Sequence, residues 1–211
     1  RRNFVNAVRI ATADIAGVYV VFDREVILGA RVSKISESKL AAFQSINQPN
    51  AGEIRVDVRL RPDVRRRHDE QFVVEKGFDP NVLVSTLFPG RSADSILEVL
   101  EGGIGGLVLR AYGTGNIAGD MLDVLALGRE LGTPIVVMSQ CLEGATRMGR
   151  YEVGKKALDL GAIEAYDMST ECVITKLMWA IARTSAPEEV RKIMHRDYCG
   201  EVTGRQSTAS Q

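Results

Sequence analysis

The stretch LVLRAYGTGNIAGDMLDVLALGRELGTPIVVM, residues 107–138, places two short apolar runs on either side of an amphipathic segment. The runs at 107–109 and 135–138 predict buried strands, and the apolar spacing between them predicts a helix. Working outward, residues 82–84 predict a strand that precedes another amphipathic helix around residue 96. This β-α-β-α-β order favours a parallel sheet covered by helices on both faces, with right-handed crossovers.

The remainder of the chain has a mixed first part and a helical end. Residues 2–16 predict an amphipathic helix whose apolar stripe needs a partner surface, and residues 18–28 predict two strands joined by a tight turn. The polar segment 33–50 predicts a loop or a short helix. Helices are also predicted at 151–160, 170–183 and 187–196.

The overall charge excludes several kinds of partner. The 211-residue chain carries 27 basic and 27 acidic residues, so no net field attracts phosphates or anionic lipid. The arginine-rich segment at 53–76 is offset by neighbouring acids, and no aromatic residue is interleaved with its arginines, which favours a surface-facing linker over a nucleic-acid site. No apolar run approaches the roughly 20 residues that cross a bilayer. We therefore expect a soluble cytoplasmic protein that contacts neither nucleic acid nor membrane.

Cysteines and histidines are too few and too widely spaced for a metal site. Cys141, Cys172 and Cys199 are odd in number and suit reduced thiols rather than a disulfide framework. His68 and His195 show no metal-ligand spacing. The sequence predicts no metal and no cofactor.

Polar and glycine-rich loops follow two of the predicted strands. Arg110 and Asn116 flank a Gly-Thr-Gly turn, and Ser139-Gln-Cys-Leu-Glu-Gly144 follows the next strand. Ligands on parallel α/β sheets bind outside the carboxyl ends of the strands. Arg110 and Asn116 can hold a carboxylate or an amide, while the glycines allow a ligand or a neighbouring subunit to approach the backbone. On its own, a G-x-G turn is more often structural than a ligand cradle.

Several separate motifs resemble the type I L-asparaginase family. They occur in the order and at nearly the spacing of that family, over most of the chain. The motifs are Leu107-Val-Leu-Arg-Ala-Tyr-Gly-Thr-Gly-Asn116, Ser139-Gln-Cys-Leu-Glu-Gly144, Met148-Gly-Arg-Tyr151, Asp167-Met-Ser-Thr-Glu171, Thr175-Lys-Leu-Met-Trp179 and the C-terminal Gly200-Glu-Val-Thr203. The resemblance implies an amidohydrolase that converts L-asparagine to L-aspartate and ammonia without a cofactor.

The nucleophile implied by the resemblance is missing from this sequence. The family uses a threonine in a G-G-T-I turn near its N-terminus, and a second threonine in a T-D-T segment that works with a lysine. Here Gly102-Gly103 is followed by Ile104, and no aspartate lies between threonines. Because the chain opens at Arg1 inside a helical pattern, without Met, we expect it to begin within a longer polypeptide and to be inactive alone.

The resemblance places one catalytic residue in this chain. Gly29-Ala-Arg-Val-Ser-Lys34 is similar to the family stretch that ends in the catalytic lysine, so Lys34 is the expected catalytic residue. A lysine suits this chemistry because burial can lower its pKa enough for proton transfer.

The resemblance also implies weaker site residues. Ser33, Arg110 and Cys141 occupy positions that help to form a second, allosteric asparagine site in type I enzymes, with serine in place of the expected threonine. The hydroxyl is kept, so an amide or carboxylate can still bind. Asn116 resembles a residue that reaches toward the catalytic pocket of a neighbouring subunit. Asparagine is the expected small-molecule partner, in a homodimer or a dimer of dimers.

The implied fold class is α/β, with the end of an N-terminal Rossmann-like domain followed by a smaller C-terminal parallel-sheet α/β domain. The expected boundaries are 1–52 for the truncated catalytic domain, 53–80 for a linker, 81–204 for the C-terminal domain and 205–211 for a tail.

Two other functions stay open. One is the asparaginase-like subunit of the archaeal-type glutamyl-tRNA(Gln) amidotransferase, which feeds ammonia to a partner; an extra N-terminal domain and a copurifying second protein would favour it. The motifs at 148–151 and 167–171 look closer to type I asparaginases. The other is a non-catalytic ligand-binding remnant, which a native mass near 23.1 kDa would favour.

Overall fold

Residues 1–203 are described by a computed structural model, in which the chain divides into two units. The first unit contains Arg1–Glu75 and the short segment Tyr198–Glu201. The second contains Lys76–Asp197, together with Val202 and Thr203. The tail predicted at 205–211 lies outside the described residues.

The first unit begins with helix α1, Arg2–Ala11, which is shorter than the helix predicted at 2–16. Arg67 explains the early end. Its guanidinium donates to the carbonyl of Ala11 at 2.6 Å and to that of Ala13 at 3.1 Å. The first bond satisfies the carbonyl of the last helical residue, which has no acceptor role in a further helical turn, and the second satisfies a carbonyl two residues beyond the helix.

Strands β1, Tyr19–Phe22, and β2, Glu25–Leu28, form the predicted antiparallel hairpin. Asp23 adopts a φ of +51° in the tight turn between them. Two asparagines of α1 hold this turn, since Asn6 donates to the Asp23 carbonyl at 2.8 Å and Asn3 accepts from its N–H at 3.1 Å. The hairpin prediction is confirmed.

The segment 33–50, predicted as a loop or a short helix, is instead built around a second hairpin. Strands β3, Val32–Lys34, and β4, Phe43–Ser45, pair antiparallel. Three-residue strands are too short to show a readable alternation of apolar and polar residues, so the sequence does not reveal them. The Phe43 ring lies 5.0 Å from the Phe22 ring, a contact that links this hairpin to β1.

Strands β5, Gly52–Ile54, and β6, Val58–Leu60, extend the β1–β2 hairpin into a four-stranded antiparallel sheet of order β1-β2-β5-β6. The segment from residue 53, expected as a surface-facing linker, therefore contributes directly to the sheet of the first unit.

The second unit is built on a parallel sheet of order β7-β8-β9-β10. Its strands are β7 Val82–Thr86, β8 Gly106–Ala111, β9 Ile135–Ser139 and β10 Ile163–Glu164. Its helices are α2 Asp94–Glu101, α3 Met121–Leu131, α4 Glu152–Asp159, α5 Thr170–Ile181 and α6 Pro187–His195. The β-α-β-α-β order and the closing helices are confirmed, whereas the two-residue strand β10 is an addition.

Side chains of the parallel sheet alternate between two buried clusters. Leu107 and Leu109 of β8 lie in one cluster with residues of α2, α3 and α4. Val108, the residue between them, lies in the other cluster with residues of α5 and α6. Helices therefore cover both faces, which explains why these strands read as continuous apolar runs. The α/β fold class is confirmed.

Candidate active site

Lys34 and Ser33 lie on strand β3 of the first unit. Lys34 is opposite Phe43 and Ser33 is opposite Gln44 in the hairpin. The Lys34 side chain is exposed and the Ser33 side chain is half-buried. The structure therefore presents the expected catalytic lysine at a strand end, where additional polypeptide or a ligand can reach its amine.

Arg110 lies near the carboxyl end of β8, at the edge where α/β sheets bind ligands. Its guanidinium donates to Thr86 Oγ1 of β7 and to the carbonyl of Gln140 after β9, both at 3.4 Å. Its Nε atom is buried and, within residues 1–203, has no hydrogen-bond partner. Because both bonds are long, the terminal nitrogens of the guanidinium keep donor capacity for a carboxylate.

The Gly-Thr-Gly turn after β8 is closed by paired backbone bonds. The N–H of Tyr112 donates to Asn116 at 3.0 Å, and the N–H of Asn116 donates back at 2.8 Å. Gly113 and Gly115 have φ values of +48° and +101°, which explains the two glycines. The Asn116 side chain is exposed, so this turn presents an amide to the surroundings.

Cys141 is exposed two residues beyond the end of β9, and its N–H donates to Ser139 Oγ at 3.0 Å. The neighbouring Gln140 was not singled out by the sequence, although it lies in the same motif. Its N–H donates to the Ala111 carbonyl at 2.9 Å and its Nε2 to the Leu87 carbonyl at 3.4 Å. Gln140 thus connects the ends of three strands.

A second set of supporting residues, at the end of β10, was also missed by the sequence. Glu164 is buried and its Oε1 accepts from the Met148 N–H at 2.7 Å. Tyr166 has a φ of +53° and exchanges two bonds with Thr146, through the Thr146 Oγ1 and the Thr146 N–H. No local sequence pattern predicts these long-range bonds.

The loop at 146–148 in turn supports the glycine turn. The Arg147 N–H donates to the Thr114 carbonyl at 2.8 Å. A Cβ on Gly115 would lie 3.0 Å from Met148 Cγ, so the two loops are in close contact. The structure thus places Arg110, Asn116 and Cys141 at the carboxyl edge of the parallel sheet, where contacts between loops hold the glycine turn. Ser33 and Lys34 both lie on β3 in the other unit.

The first unit also contains a cavity of about 510 Å³ that none of the predicted site residues lines. Tyr19, Arg65 and Tyr198 contribute to its wall. Burial raises the pKa of the Tyr19 phenol, with Arg65 opposing and Cys199 adding to the effect.

Through residue 203, no helix is long and apolar enough to span a membrane.

The chain belongs to the glutaminase/asparaginase family. Residues 81–194 match its glutaminase/asparaginase C-terminal domain, and residues 1–66 match the asparaginase N-terminal domain. An L-asparaginase of Thermococcus kodakarensis is 39% identical over 96% of this chain. A glutamyl-tRNA(Gln) amidotransferase subunit from Aeropyrum pernix is 37% identical over 84% of the chain, and the match covers 42% of that protein.

Solved structures agree with this assignment. The thermostable L-asparaginase of Thermococcus kodakarensis matches with a TM-score of 0.90, and L-asparaginase I of Vibrio cholerae matches with a TM-score of 0.87 at 29% identity. The two matches cover 96% and 95% of this chain. This chain spans 62% of each of those proteins.

Proposed function

We propose that the chain forms the C-terminal part of an L-asparaginase, which hydrolyses L-asparagine to L-aspartate and ammonia. The observation that carries this proposal is the match of two family domains, in order, over 1–66 and 81–194. The similarity to a Thermococcus L-asparaginase over 96% of the chain supports asparagine as the substrate.

The reaction is a covalent acyl transfer with a threonine nucleophile supplied by polypeptide outside this chain. The threonine hydroxyl attacks the side-chain amide carbon, the C–N bond breaks, and the nitrogen leaves as ammonia after gaining the hydroxyl proton. Water then cleaves the resulting ester, releasing aspartate and restoring the hydroxyl. No step needs a metal or an electron carrier.

Lys34 is proposed to take part in the proton transfers. Its amine is exposed at the end of β3. Covering this strand end with further polypeptide would desolvate the amine and suit it to general acid and base work. A carboxylate partner, such as the aspartate of a T-D-T segment, would hold the charged form in place.

The remaining roles follow the family pattern. The Arg110 guanidinium, whose bonds to Thr86 and Gln140 are both long at 3.4 Å, supports binding of an amino-acid carboxylate near Cys141, and the exposed Asn116 suits a contact with a neighbouring subunit. An allosteric asparagine site involving Ser33, a homodimer or dimer of dimers, and a cytoplasmic location stay predictions.

The central test measures ammonia release from L-asparagine. The 211-residue chain alone should release none above buffer, because it has no nucleophile. Fusing it to the N-terminal portion of the Thermococcus kodakarensis enzyme that this chain does not span should restore hydrolysis. In that fusion, Lys34→Met should reduce turnover by about 10²- to 10⁴-fold, the usual contribution of a positioned proton-transfer group.

Lys39→Met is the matched control, because Lys39 is also exposed and lies five residues further along the same segment. It should leave turnover unchanged. Near-normal turnover with Lys34→Met would remove Lys34 from the catalytic set, and hydrolysis by the chain alone would refute the missing nucleophile.

The second candidate, the asparaginase-like component of the amidotransferase, is favoured by the match to the Aeropyrum protein. The two functions differ in where ammonia goes. Copurification with a second protein, and ammonia release that depends on that protein, would support the amidotransferase. Asparagine hydrolysis by the fusion without a partner supports the asparaginase.

A further inference from the structure

Arg31 is fully buried in the first unit, which is unusual for an arginine. Its Nε donates a 2.7 Å hydrogen bond to the carbonyl of Gly200, 169 positions further along the chain. A buried guanidinium is costly unless its donors are satisfied, so this short bond is a strong constraint on both segments.

The acceptor lies in a turn that is itself built around a buried charge. Glu201 is buried, and its carboxylate accepts from the N–H groups of Tyr198 and Cys199 at 2.8 to 3.1 Å. Gly200 has a φ of +90°, and a Cβ there would lie 3.0 Å from Leu28 Cδ2. The turn therefore holds the Gly200 carbonyl in one orientation and packs against the end of β2.

Arg31 also lies where it can control the strand that carries Lys34. It directly precedes β3, and its own carbonyl accepts from the Ile46 N–H at 2.8 Å, just beyond β4. Its side chain and its backbone thus fix the open end of the β3–β4 hairpin, the end away from the connecting loop. Lys34 is at the other end, opposite Phe43, where the Ile35 N–H donates to Ala42 at 2.9 Å.

We propose that Arg31 is a positioning residue for Lys34, acting through the Gly200 carbonyl of the Tyr198–Glu201 turn. This inference rests on the proposed function for its catalytic meaning, although the mechanical link can be tested alone. The three-residue strand β3 has few backbone bonds of its own, so its register depends on the anchor at Arg31.

The test is amide hydrogen exchange on the 211-residue chain, comparing wild type with Arg31→Lys. A lysine keeps the charge but cannot reproduce the Nε–H donor at that position. Amides of β3 and β4 should exchange about tenfold faster or more, as expected when a hydrogen bond to a charged group is lost. Amides of β1 and β2 should keep their protection.

Arg59→Lys is the matched control, because Arg59 is exposed on β6 of the same unit. It should leave all exchange rates unchanged. Glu201→Gln is a milder second variant that weakens the acceptor turn, and it should loosen the same ladder to a smaller degree. The proposal would be overturned if the amides of β3 and β4 kept their protection in both Arg31→Lys and Glu201→Gln. It would also be overturned if exchange accelerated equally in every strand of the unit.

A catalytic readout separates this idea from the proposed function. In the fused enzyme, Arg31→Lys should lower kcat about tenfold with KM for asparagine unchanged, because the amine is misplaced while substrate contacts remain. A changed KM with normal kcat would contradict a positioning role. If the fusion shows no hydrolysis at all, the proposed function fails, and the exchange experiment still decides the Arg31 link.

Discussion

Gly154→Ala should destabilise the second unit, although helix propensity alone predicts the opposite. Gly154 lies in α4, where replacing glycine by alanine normally stabilises by about 1 kcal/mol. Here an added Cβ would overlap the carbonyl oxygen of Met148 and lie 2.7 Å from its carbonyl carbon. Because both atoms belong to the backbone, no side chain can rotate away.

The magnitude follows from these opposing effects. Forcing a methyl group into a closed contact costs about 1–3 kcal/mol, and a backbone clash of this kind belongs at the upper end. Subtracting the propensity gain of about 1 kcal/mol leaves a loss of about 2 kcal/mol in the free energy of unfolding. The corresponding decrease in Tm is about 4–8 °C for a chain of this size.

Thermal unfolding followed by circular dichroism measures this effect. Gly149→Ala is the control, because a Cβ at Gly149 meets nothing within 4 Å and Gly149 directly follows Met148, the residue with which a Cβ at position 154 would clash. It should change stability by less than about 0.5 kcal/mol. A Gly154→Ala chain that melts at or above wild type, or together with Gly149→Ala, would refute the reasoning.

Two further predictions concern the first unit. Because burial raises the folded-state pKa of Tyr19, the stability that the neutral phenol contributes is present below its ordinary pKa of 10.0 and is lost as pH rises through the folded value. In urea unfolding, the free energy of unfolding should therefore fall less between about pH 8 and about pH 11 in Tyr19→Phe than in wild type. An identical fall in both proteins would show that Tyr19 does not cause the alkaline loss of stability. Phe4 and Val8 of α1 are exposed, so the chain should self-associate in light scattering. The Phe4→Ser/Val8→Ser double variant should reduce this association and Leu40→Ser, at another exposed apolar position, should not; a monodisperse wild-type monomer would contradict the prediction.

The sequence predicts the parallel sheet well because its strands are buried on both faces. Val108 is completely buried between two apolar neighbours that face the opposite helices, so three consecutive residues all have to be apolar. Such runs stand out against the helical spacing that separates them. Strand β10 has only two residues, and no periodicity can reveal an element of that length.

Boundaries set by distant side chains are not readable from a local pattern. The apolar spacing of α1 continues beyond Ala11, but the helix ends where Arg67, 56 positions later, takes over its carbonyl bonds. The β3–β4 hairpin is similarly fixed by contacts outside it, including the Phe22 ring. Local propensity cannot anticipate either partner.

The candidate site shows the same division. Arg110, Asn116 and Cys141 could be proposed because motifs in register carry them, and the fold places them at the carboxyl edge of one sheet, but their roles stay predictions. Their supports could not be found. The Glu164 carboxylate that holds the 146–148 loop looks, in sequence, like an ordinary charged residue after an apolar one.

The Tyr198–Glu201 turn has a consequence for biosynthesis. As a ribosome makes this chain, the guanidinium of Arg31 has no access to its carbonyl acceptor until 169 further residues have been added. Contacts of such sequence separation raise contact order and slow folding. The first unit therefore cannot reach its native state before this turn has emerged, and the delay leaves a window in which chaperones can act on the nascent polypeptide.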